Sequence, residues 1–206
     1  ASGFDPELRG SLEAQIANVA DELAYNAHDL DDGLRSGLIA PDQLNEIELW
    51  QMLKESVGWD GKLFTEQIRH RLIRRMIGIE IDDVIQATGA NLAQHDLPTP
   101  EALQRLPYNV VVHSERLSAL NQELKSFLYA NLYRHHRVVR MAVKAERFIA
   151  QLFETYLEEP EQLPPSVRRV ANGRGIHRAV CDYIAGMTDR FALEEWQRLY
   201  DPFTLP

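Results

Sequence analysis

The sequence predicts an all-α fold, and three observations support that prediction. Apolar residues recur at helical spacing along most of the chain, prolines and glycines separate these segments, and no alternating strand pattern occurs apart from a short run of valines at 110–112. The 206 residues, 45% of them hydrophobic and 26% charged, are enough to bury a sizeable core in one domain or two closely packed ones.

The first predicted helix covers about residues 7–28 and ends in a loop rich in aspartate and glycine at residues 29–37. At about 100° per residue, seven apolar side chains share one stripe of this helix. We expect this stripe to be buried, and its members are Leu12, Ile16, Val19, Ala20, Leu23, Ala27 and Leu30.

The nearly opposite face of the same helix carries Asp21, Tyr25 and Asp29 at the spacing i, i+4, i+8. A carboxylate, a phenol and a second carboxylate in a row can ligate a metal, contact a phosphate and hold a sugar hydroxyl. The alternative is an ordinary polar face that meets only solvent, which is the common case for surface helices.

The middle of the chain predicts three further segments. Pro41 begins a second helix, because proline suits the first helical position and Asp42 suits the positive end of the helix dipole. A third helix is predicted over about 62–85. Three prolines then predict a loop over residues 93–109.

The remaining segments are also predicted to be helical. Ser114 is expected to cap a helix that continues to about Tyr133, and a further helix is predicted over 138–157. Prolines between residues 160 and 165 end that helix, and the last helices cover about 176–200.

Composition excludes several functional classes. A net charge of −9 and a pI of about 5.3 argue against a general nucleic-acid coating protein, although they leave room for a local basic site. Cys181 is the single cysteine, so we expect no disulfide framework, a small packed thiol and a reducing, cytoplasmic setting. No apolar run approaches the ~18 residues of a membrane span, so we expect no membrane partner.

Three blocks of the sequence resemble one known family. Residues 20–34 read ADELAYNAHDLDDGL, residues 124–128 and 131–135 read LKSFL and NLYRH, and residues 182–192 read DYIAGMTDRFA. In this order they closely resemble the deoxyguanosinetriphosphate triphosphohydrolase (dGTPase) family, bacterial members of the HD-domain superfamily. The resemblance implies a multi-helical fold from the C-terminal part of an HD-domain dNTP triphosphohydrolase.

The resemblance also implies an activity, a cofactor and site residues. The reaction is hydrolysis of a dNTP to a deoxynucleoside and tripolyphosphate, with a divalent metal such as Mg²⁺ or Mn²⁺. Asp21 matches the last ligand of the family's metal site, and Tyr25 matches a tyrosine that contacts substrate phosphate and sugar. Asp29 matches an aspartate that binds the 3′-hydroxyl of the deoxyribose. Lys125 matches a basic residue at the phosphates, and Tyr133 an aromatic residue beside the sugar and base.

The sequence departs from the family pattern upstream of Asp21. The family's first histidine and its metal-binding His-Asp pair should lie well before this residue, and only twenty residues precede it. We therefore expect no catalytic residue in this segment, an isolated chain that is inactive and holds no metal tightly, and a face around Tyr25 that is open to solvent or covered by a partner chain. In this interpretation residues 1–206 are one helical segment, in which 1–40 end the HD core and 41–206 form a C-terminal helical region.

Two His-Asp dipeptides occur in the chain itself. His28-Asp29 has no histidine before it, and His95-Asp96 lies in the proline-bounded loop, although His70 precedes it. Metal ligands are normally oriented by rigid elements, so a solvated loop is the favoured interpretation of the second dipeptide.

Two basic clusters lie in this acidic chain. The first comprises Arg69, Arg71, Arg74 and Arg75, and the second comprises Arg134, Arg137, Arg140, Lys144 and Arg147. Spacing favours solvated helix faces with salt bridges to neighbouring acids. Oligomeric relatives bind effector nucleotides or single-stranded DNA at subunit junctions, so the resemblance also implies a homo-oligomer with such partners.

Two alternatives to a dNTP triphosphohydrolase stay open. In the first, the chain is a non-catalytic helical module for oligomerisation or nucleotide sensing, and Asp21, Tyr25 and Asp29 are ordinary surface residues. In the second, it belongs to another HD-superfamily phosphohydrolase, which acts on nucleoside monophosphates or cyclic nucleotides.

Overall fold

The computed structural model describes residues 8–94 and 99–205, and within these ranges the chain is α-helical without a β-strand. Its α-helices are α1 (Leu12–Arg35), α2 (Glu48–Val57), α3 (Glu66–Ala93), α4 (Pro100–Gln104), α5 (Glu115–Leu128), α6 (His136–Glu158), α7 (Pro165–Arg174), α8 (Ile176–Ala185) and α9 (Asp189–Tyr200). Short 3-10 turns lie at Pro41–Leu44 and Pro160–Gln162, and a π-helical turn at Tyr129–Tyr133 follows α5 directly. The all-α prediction is therefore confirmed.

The chain divides into two compact units, residues 1–135 and 136–206, and each has its own core. The larger core lies among α1, α2, α3 and α5 and includes Ala27, Leu30, Leu44, Trp50, Leu53, Leu72, Met76, Leu117, Leu124 and Leu128. In the second unit α6 packs against α8 and α9 around Leu152, Tyr156, Leu163, Val180 and Ala192. The proposed division at residue 40 refers to a longer protein and stays a prediction.

Helix α1 begins later than the sequence predicted. Residues 8–11 are not helical, and the Ser11 side chain caps the first turn by accepting a hydrogen bond from the Ala14 amide at 3.3 Å. The apolar pattern alone did not distinguish the first turn from the residues before it, whereas the capping hydroxyl does.

Helix α1 also ends later than predicted, at Arg35. Leu30 and Leu34 are both buried and extend the apolar stripe of the helix through the segment that the sequence had suggested was a loop. Gly33 fits this position because the chain folds back closely here: a Cβ at residue 33 would lie 2.6 Å from the Ile39 side chain.

Helix α3 extends beyond its predicted end at residue 85 to Ala93, and its buried arginine has a structural role. Arg69 forms an ion pair with Asp31 of α1 and lies 3.6 Å from the Glu66 carboxylate. The Arg71 guanidinium donates to the Val57 carbonyl at 2.6 Å. These two members of the first basic cluster therefore fix helices to one another.

The predicted loop at 93–109 contains a short helix, α4, whose first turn is capped by the Thr99 side chain. The following valine run is not a strand. The Gln15 side-chain oxygen accepts hydrogen bonds from the amides of Val110 and Val111, at 2.8 and 3.3 Å. Because this side chain satisfies the buried backbone donors, the segment needs no strand partner.

Three predictions for the rest of the chain have mixed outcomes. Ser114 caps α5 as expected, with its hydroxyl accepting from the Leu117 amide at 3.2 Å. Helix α7 was missed, because Pro165 was interpreted as a helix breaker although it occupies the first position of a helix. The expectation that Cys181 is packed was wrong, since its side chain is exposed.

Candidate functional site

Helix α1 and the segment formed by α5 and the π-helical turn enclose a cleft of about 550 Å³ in the first unit, here called the Tyr25 cleft. Its lining residues are Glu22, Tyr25, Asn26, Asp29, Gln122, Lys125, Ser126, Leu128, Tyr129 and Tyr133. The fold therefore brings Tyr25, Asp29, Lys125 and Tyr133 together from segments about a hundred residues apart, 104 residues in the case of Asp29 and Tyr133.

The hydroxyl of Tyr133 joins two side chains of α1. It donates a hydrogen bond to an Asp29 carboxylate oxygen and lies 2.6 Å from the Tyr25 hydroxyl. A phenol carries one proton, so Tyr25 is the donor to Tyr133 whenever Tyr133 donates to Asp29. Tyr25 is nevertheless 57% exposed, which leaves its ring accessible from solvent. The three groups form an ordered and reachable set of hydrogen-bonding oxygens.

The charged groups of the cleft are arranged in two places. Lys125 of α5 forms an ion pair with Glu22 of α1, and both side chains are partly exposed. Partial burial raises the pKa of Asp29, and the carboxylate of Asp32 raises it further, whereas His28 lowers it. The cleft thus contains the Lys125 ammonium group, which is paired with a solvent-accessible carboxylate. It also contains the Asp29 carboxyl group, a hydrogen-bond acceptor whose ionised form is partly disfavoured by its surroundings.

Asn26 and Tyr129 are among the lining residues of the cleft that sequence reasoning missed. Asn26 is 2% exposed, and its Nδ2 group has no hydrogen-bond partner among the described residues, so an unused donor lies in the cleft wall. Tyr129 is exposed, and its ring centroid lies 6.5 Å from that of Tyr133. Asn26 lies at the margin of the buried stripe, so the helical pattern did not mark it as a site residue. The position of Tyr129 beside Tyr133 depends on the π-helical turn, which the sequence pattern did not predict.

Asp21 lies one helical turn before Tyr25, is exposed, and does not line the cleft. Within residues 8–94 and 99–205, no three histidine, cysteine, aspartate or glutamate side chains are close enough to hold a metal ion. The described residues therefore do not by themselves form a divalent-metal site; Asp21 is a single carboxylate able to contribute one ligand.

The other candidate residues lie elsewhere. His95-Asp96 falls outside the described residues, and His70 contacts the Arg69 guanidinium through its Nε2 atom at 2.8 Å. Lys144 and Arg147 of the second basic cluster line a separate cleft of about 270 Å³ in the second unit.

A second cavity of the first unit, about 480 Å³, lies between α1 and α3 and is here called the apolar groove. It is lined by Leu12, Ile16, Val19, Ala20, Leu23, Ile81, Val84, Ile85, Thr88, Gly89, Leu92 and Val111. The prediction of a buried stripe is confirmed for Leu23, Ala27 and Leu30. It was wrong for Ile16, which is 50% exposed, and for Ala20, which is also exposed, while Leu12 and Val19 are partly buried.

Among the described residues, no helix is both long enough and apolar enough to cross a membrane.

The chain resembles known proteins at two levels, in one domain and over nearly its whole length. A family model described as a phosphohydrolase-associated domain matches residues 111–198, which include α5, the π-helical turn and most of the second unit. Curated relatives match nearly the whole chain. A deoxyguanosinetriphosphate triphosphohydrolase-like protein from Geobacter sulfurreducens is 46% identical over 98% of this chain and 52% of its own length.

Two further proteins with the same name show similar agreement. The relative from Geobacter metallireducens is 44% identical over 97% of this chain, and the one from Deinococcus deserti is 43% identical over 93%. They are covered over 52% and 50% of their own lengths, so the chain spans about half the length of the curated relatives it matches. The chain belongs to the family of dGTPase-like proteins and corresponds to their C-terminal part.

Proposed function

We propose that the Tyr25 cleft binds the sugar and phosphates of a deoxynucleoside triphosphate in a metal-dependent triphosphohydrolase. The observation that carries this proposal is the hydrogen-bonded set of Tyr133, Tyr25 and Asp29 beside the Lys125 cation in one open cleft. The names of the relatives support phosphohydrolase chemistry in the family, and the substrate and products are part of the proposal.

Asp29 and Tyr133 suit a sugar hydroxyl. A carboxylate oxygen accepts the hydroxyl proton, while the phenol that already contacts Asp29 orients the carboxylate. A buried polar site built to bond one hydroxyl discriminates against ligands that lack it, because the acceptor is then left unpaired. We infer that Asp29 reads the 3′-hydroxyl and that the Tyr133 ring lies beside the sugar and base.

Lys125 and Tyr25 suit the phosphates. The ammonium group of Lys125 is paired with Glu22 at a partly exposed position, so an anion can replace that carboxylate at little cost in desolvation. Tyr25 adds a hydroxyl at the solvent side of the cleft, within reach of the same anion. In the proposed reaction water attacks the α-phosphorus and the bond from this phosphorus to the 5′-oxygen breaks. The deoxynucleoside leaves with a proton on its 5′-oxygen, and tripolyphosphate retains the attacked phosphorus. These residues bind and orient the chain of phosphates.

We further propose that Asp21 contributes one ligand to a divalent metal such as Mg²⁺ or Mn²⁺ whose remaining ligands come from outside the described residues. A hard dication held by one carboxylate keeps most of its water, so the 206-residue chain alone is expected to be inactive toward dGTP. Sustained tripolyphosphate release by the purified chain, in a preparation free of host enzyme, would contradict this.

The test uses the protein expressed from its complete reading frame and follows tripolyphosphate release from dGTP. Asp21→Ala is expected to abolish metal-supported turnover, because it removes a ligand that places the charge of the ion. Asp29→Ala is expected to lower kcat/KM by roughly one to two decades, which corresponds to a lost contact of about 1–3 kcal/mol. It should also reduce the ratio of kcat/KM for dGTP to kcat/KM for 2′,3′-dideoxyGTP.

Asn18→Ala is the matched control, because this exposed polar residue of α1 does not line the cleft. It should change neither kcat/KM nor the discrimination between dGTP and its dideoxy analogue. If Asp21→Ala keeps near-normal activity, or if Asp29→Ala leaves the discrimination unchanged, the assignment of these residues is wrong.

The same assay separates the alternatives. A non-catalytic oligomerisation or nucleotide-sensing module binds nucleotides without turnover, and hydrolysis of nucleoside monophosphates or cyclic nucleotides in preference to dNTPs indicates the other HD-superfamily activity. Two further proposals rest on the family resemblance. The first is a homo-oligomer, which light scattering would measure, and the second is binding of single-stranded DNA or an effector nucleotide, which titrations would measure. A cytoplasmic location remains a proposal as well.

A further inference from the structure

Glu80 of α3 is a fully buried carboxyl group behind the Tyr25 cleft. Its side chain is 0% exposed, and neither of its carboxylate oxygens has a hydrogen-bond partner among the described residues. A buried ionised carboxylate without partners is strongly disfavoured, so this group must find a donor, lose its charge by protonation, or both. The proposed reaction makes no use of it.

The neighbours of Glu80 lie on three helices. Asn121 of α5 is 5% exposed, and its side-chain oxygen also lacks a partner. The charged groups around the carboxyl are Glu22 on α1, Lys125 on α5 and Asp83 on α3 itself. A protonated Glu80 can donate its hydroxyl to the unpaired oxygen of Asn121, which the ionised form cannot do.

Two of these charged neighbours, Glu22 and Lys125, are the ion pair of the cleft. The pKa of Glu80 is raised to about 7, chiefly by burial. Among its neighbours, the side chain of Asn121 lowers this pKa, Glu22 raises it, Lys125 lowers it and Asp83 raises it. The protonation state of a buried group therefore depends on the charges at the surface of the cleft, since Lys125 favours the ionised form and Glu22 the neutral form.

We propose that Glu80 is a positioning residue that couples the uptake of a proton to the binding of an anionic ligand in the Tyr25 cleft. An anion on Lys125 reduces the positive charge that favours ionised Glu80, so the carboxyl takes up a proton and bonds to Asn121. By linkage, protonation of Glu80 strengthens anion binding to the same degree. The inference rests on the proposed function only for the identity of the anion, a polyphosphate.

The first test needs no ligand. Carboxyl ¹³C NMR titrations of the full 206-residue chain, with the Glu80 resonance assigned by its loss in Glu80→Gln, give the midpoint of this group. We expect titration near neutral pH in the wild type. Lys125→Met should raise the Glu80 midpoint and Glu22→Gln should lower it, each by at least roughly half a pH unit. These shifts should stay below the ~1–3 units that a directly contacting opposite charge produces.

A matched control is Glu123→Gln, a carboxylate on α5 that does not line the cleft and is not among the charged neighbours of Glu80. It should leave the midpoint unchanged. A Glu80 midpoint near that of ordinary glutamate, about 4.3, or a midpoint that neither Lys125→Met nor Glu22→Gln moves, overturns the proposal.

The second test adds inorganic tripolyphosphate and then dGTP to the same chain. Binding is followed through the resonances of Lys125 and Tyr25, and the Glu80 midpoint should rise as these resonances shift. In Glu80→Gln the affinity between about pH 6 and 8, the range around the wild-type pKa of about 7, should depend on pH only as far as the ionisation of the anion's own terminal phosphate, with a pKa of about 6, requires. Binding that leaves the Glu80 midpoint unchanged overturns the coupling, whereas failure to bind either anion counts against the proposed function and leaves the ligand-free result as the test of Glu80.

Discussion

Helix α1 presents two faces of opposite character to two cavities of similar size. Toward α5 it lines the Tyr25 cleft of about 550 Å³ with a phenol, an amide and two carboxylates. Toward α3 it lines the apolar groove of about 480 Å³, where Thr88 is the one lining residue with a polar side chain. The same helix therefore presents polar and charged groups on one face and apolar groups on the other.

The difference shows that exposure alone does not identify a functional face. Tyr25 is 57% exposed and Ile85 is 64% exposed, yet only the tyrosine is tied into a hydrogen-bonded set with residues of another segment. Hydrogen-bond partners hold polar side chains in a fixed orientation. The apolar side chains of the groove have no such partners, so their arrangement is fixed only when another surface covers them.

The largest effect is expected along the apolar stripe itself. Leu30→Ala should lower the free energy of unfolding by about 2–5 kcal/mol, because a 1% exposed leucine leaves a cavity when truncated. Ile16→Ala, at the groove end of the same stripe, should cost far less, since half of that side chain already contacts solvent. Urea unfolding of both variants measures this, and equal losses would mean that the groove is covered in solution.

A smaller effect is expected from the Tyr133 hydroxyl. Tyr133→Phe should lower the free energy of unfolding by about 0.5–1.5 kcal/mol, because Asp29 loses a donor and Tyr25 an acceptor. Tyr129→Phe is the matched control, an exposed tyrosine in the same π-helical turn, and should stay within about 0.5 kcal/mol of the wild type. Identical stabilities for the two variants would argue that the hydrogen-bonded set does not form in solution.

The smallest effect concerns the charge of Asp29. Partial burial raises the pKa of its carboxyl in the folded state. The ionised carboxylate therefore lowers the free energy of unfolding at pH values above this folded-state pKa, and this loss is absent below the pKa of the same group in the unfolded chain. Asp29→Asn should therefore raise the melting temperature slightly at pH 7, and the gain should disappear as the pH falls through the acidic range. An Asp29→Asn gain that persists at pH 3 would show that the cause is not the charge.

Much of the fold could be predicted from the sequence because its signals are local. The Ser114 cap and the helical spacing of the apolar residues place α5 correctly. Prediction was less successful where tertiary contacts override local signals. The packing of Gly33 against Ile39 extends α1, and Pro165 begins a helix where a break was expected.

The candidate site was predictable in composition but not in geometry. Tyr25 and Asp29 share a helix face because their spacing requires it, whereas their meeting with Lys125 and Tyr133 depends on contacts between distant segments. No pattern in the sequence indicated the pairing of Glu22 with Lys125 or the burial of Glu80, because both depend on the packing of α1, α3 and α5.

The π-helical turn at Tyr129–Tyr133 has a consequence for how chain length relates to ligand binding. A π-helical turn contains one residue more than an α-helical turn, and such turns are frequent at functional sites. Deletion of one residue within this turn, before Tyr133, would return the turn to α-helical geometry and change the position of Tyr133 on the helix surface. The Tyr133 hydroxyl would then lie away from Tyr25. Related chains that differ by a single residue at this position should thus keep the helix and its core but bind a different ligand, so a one-residue gap in an alignment carries more information about specificity here than many substitutions.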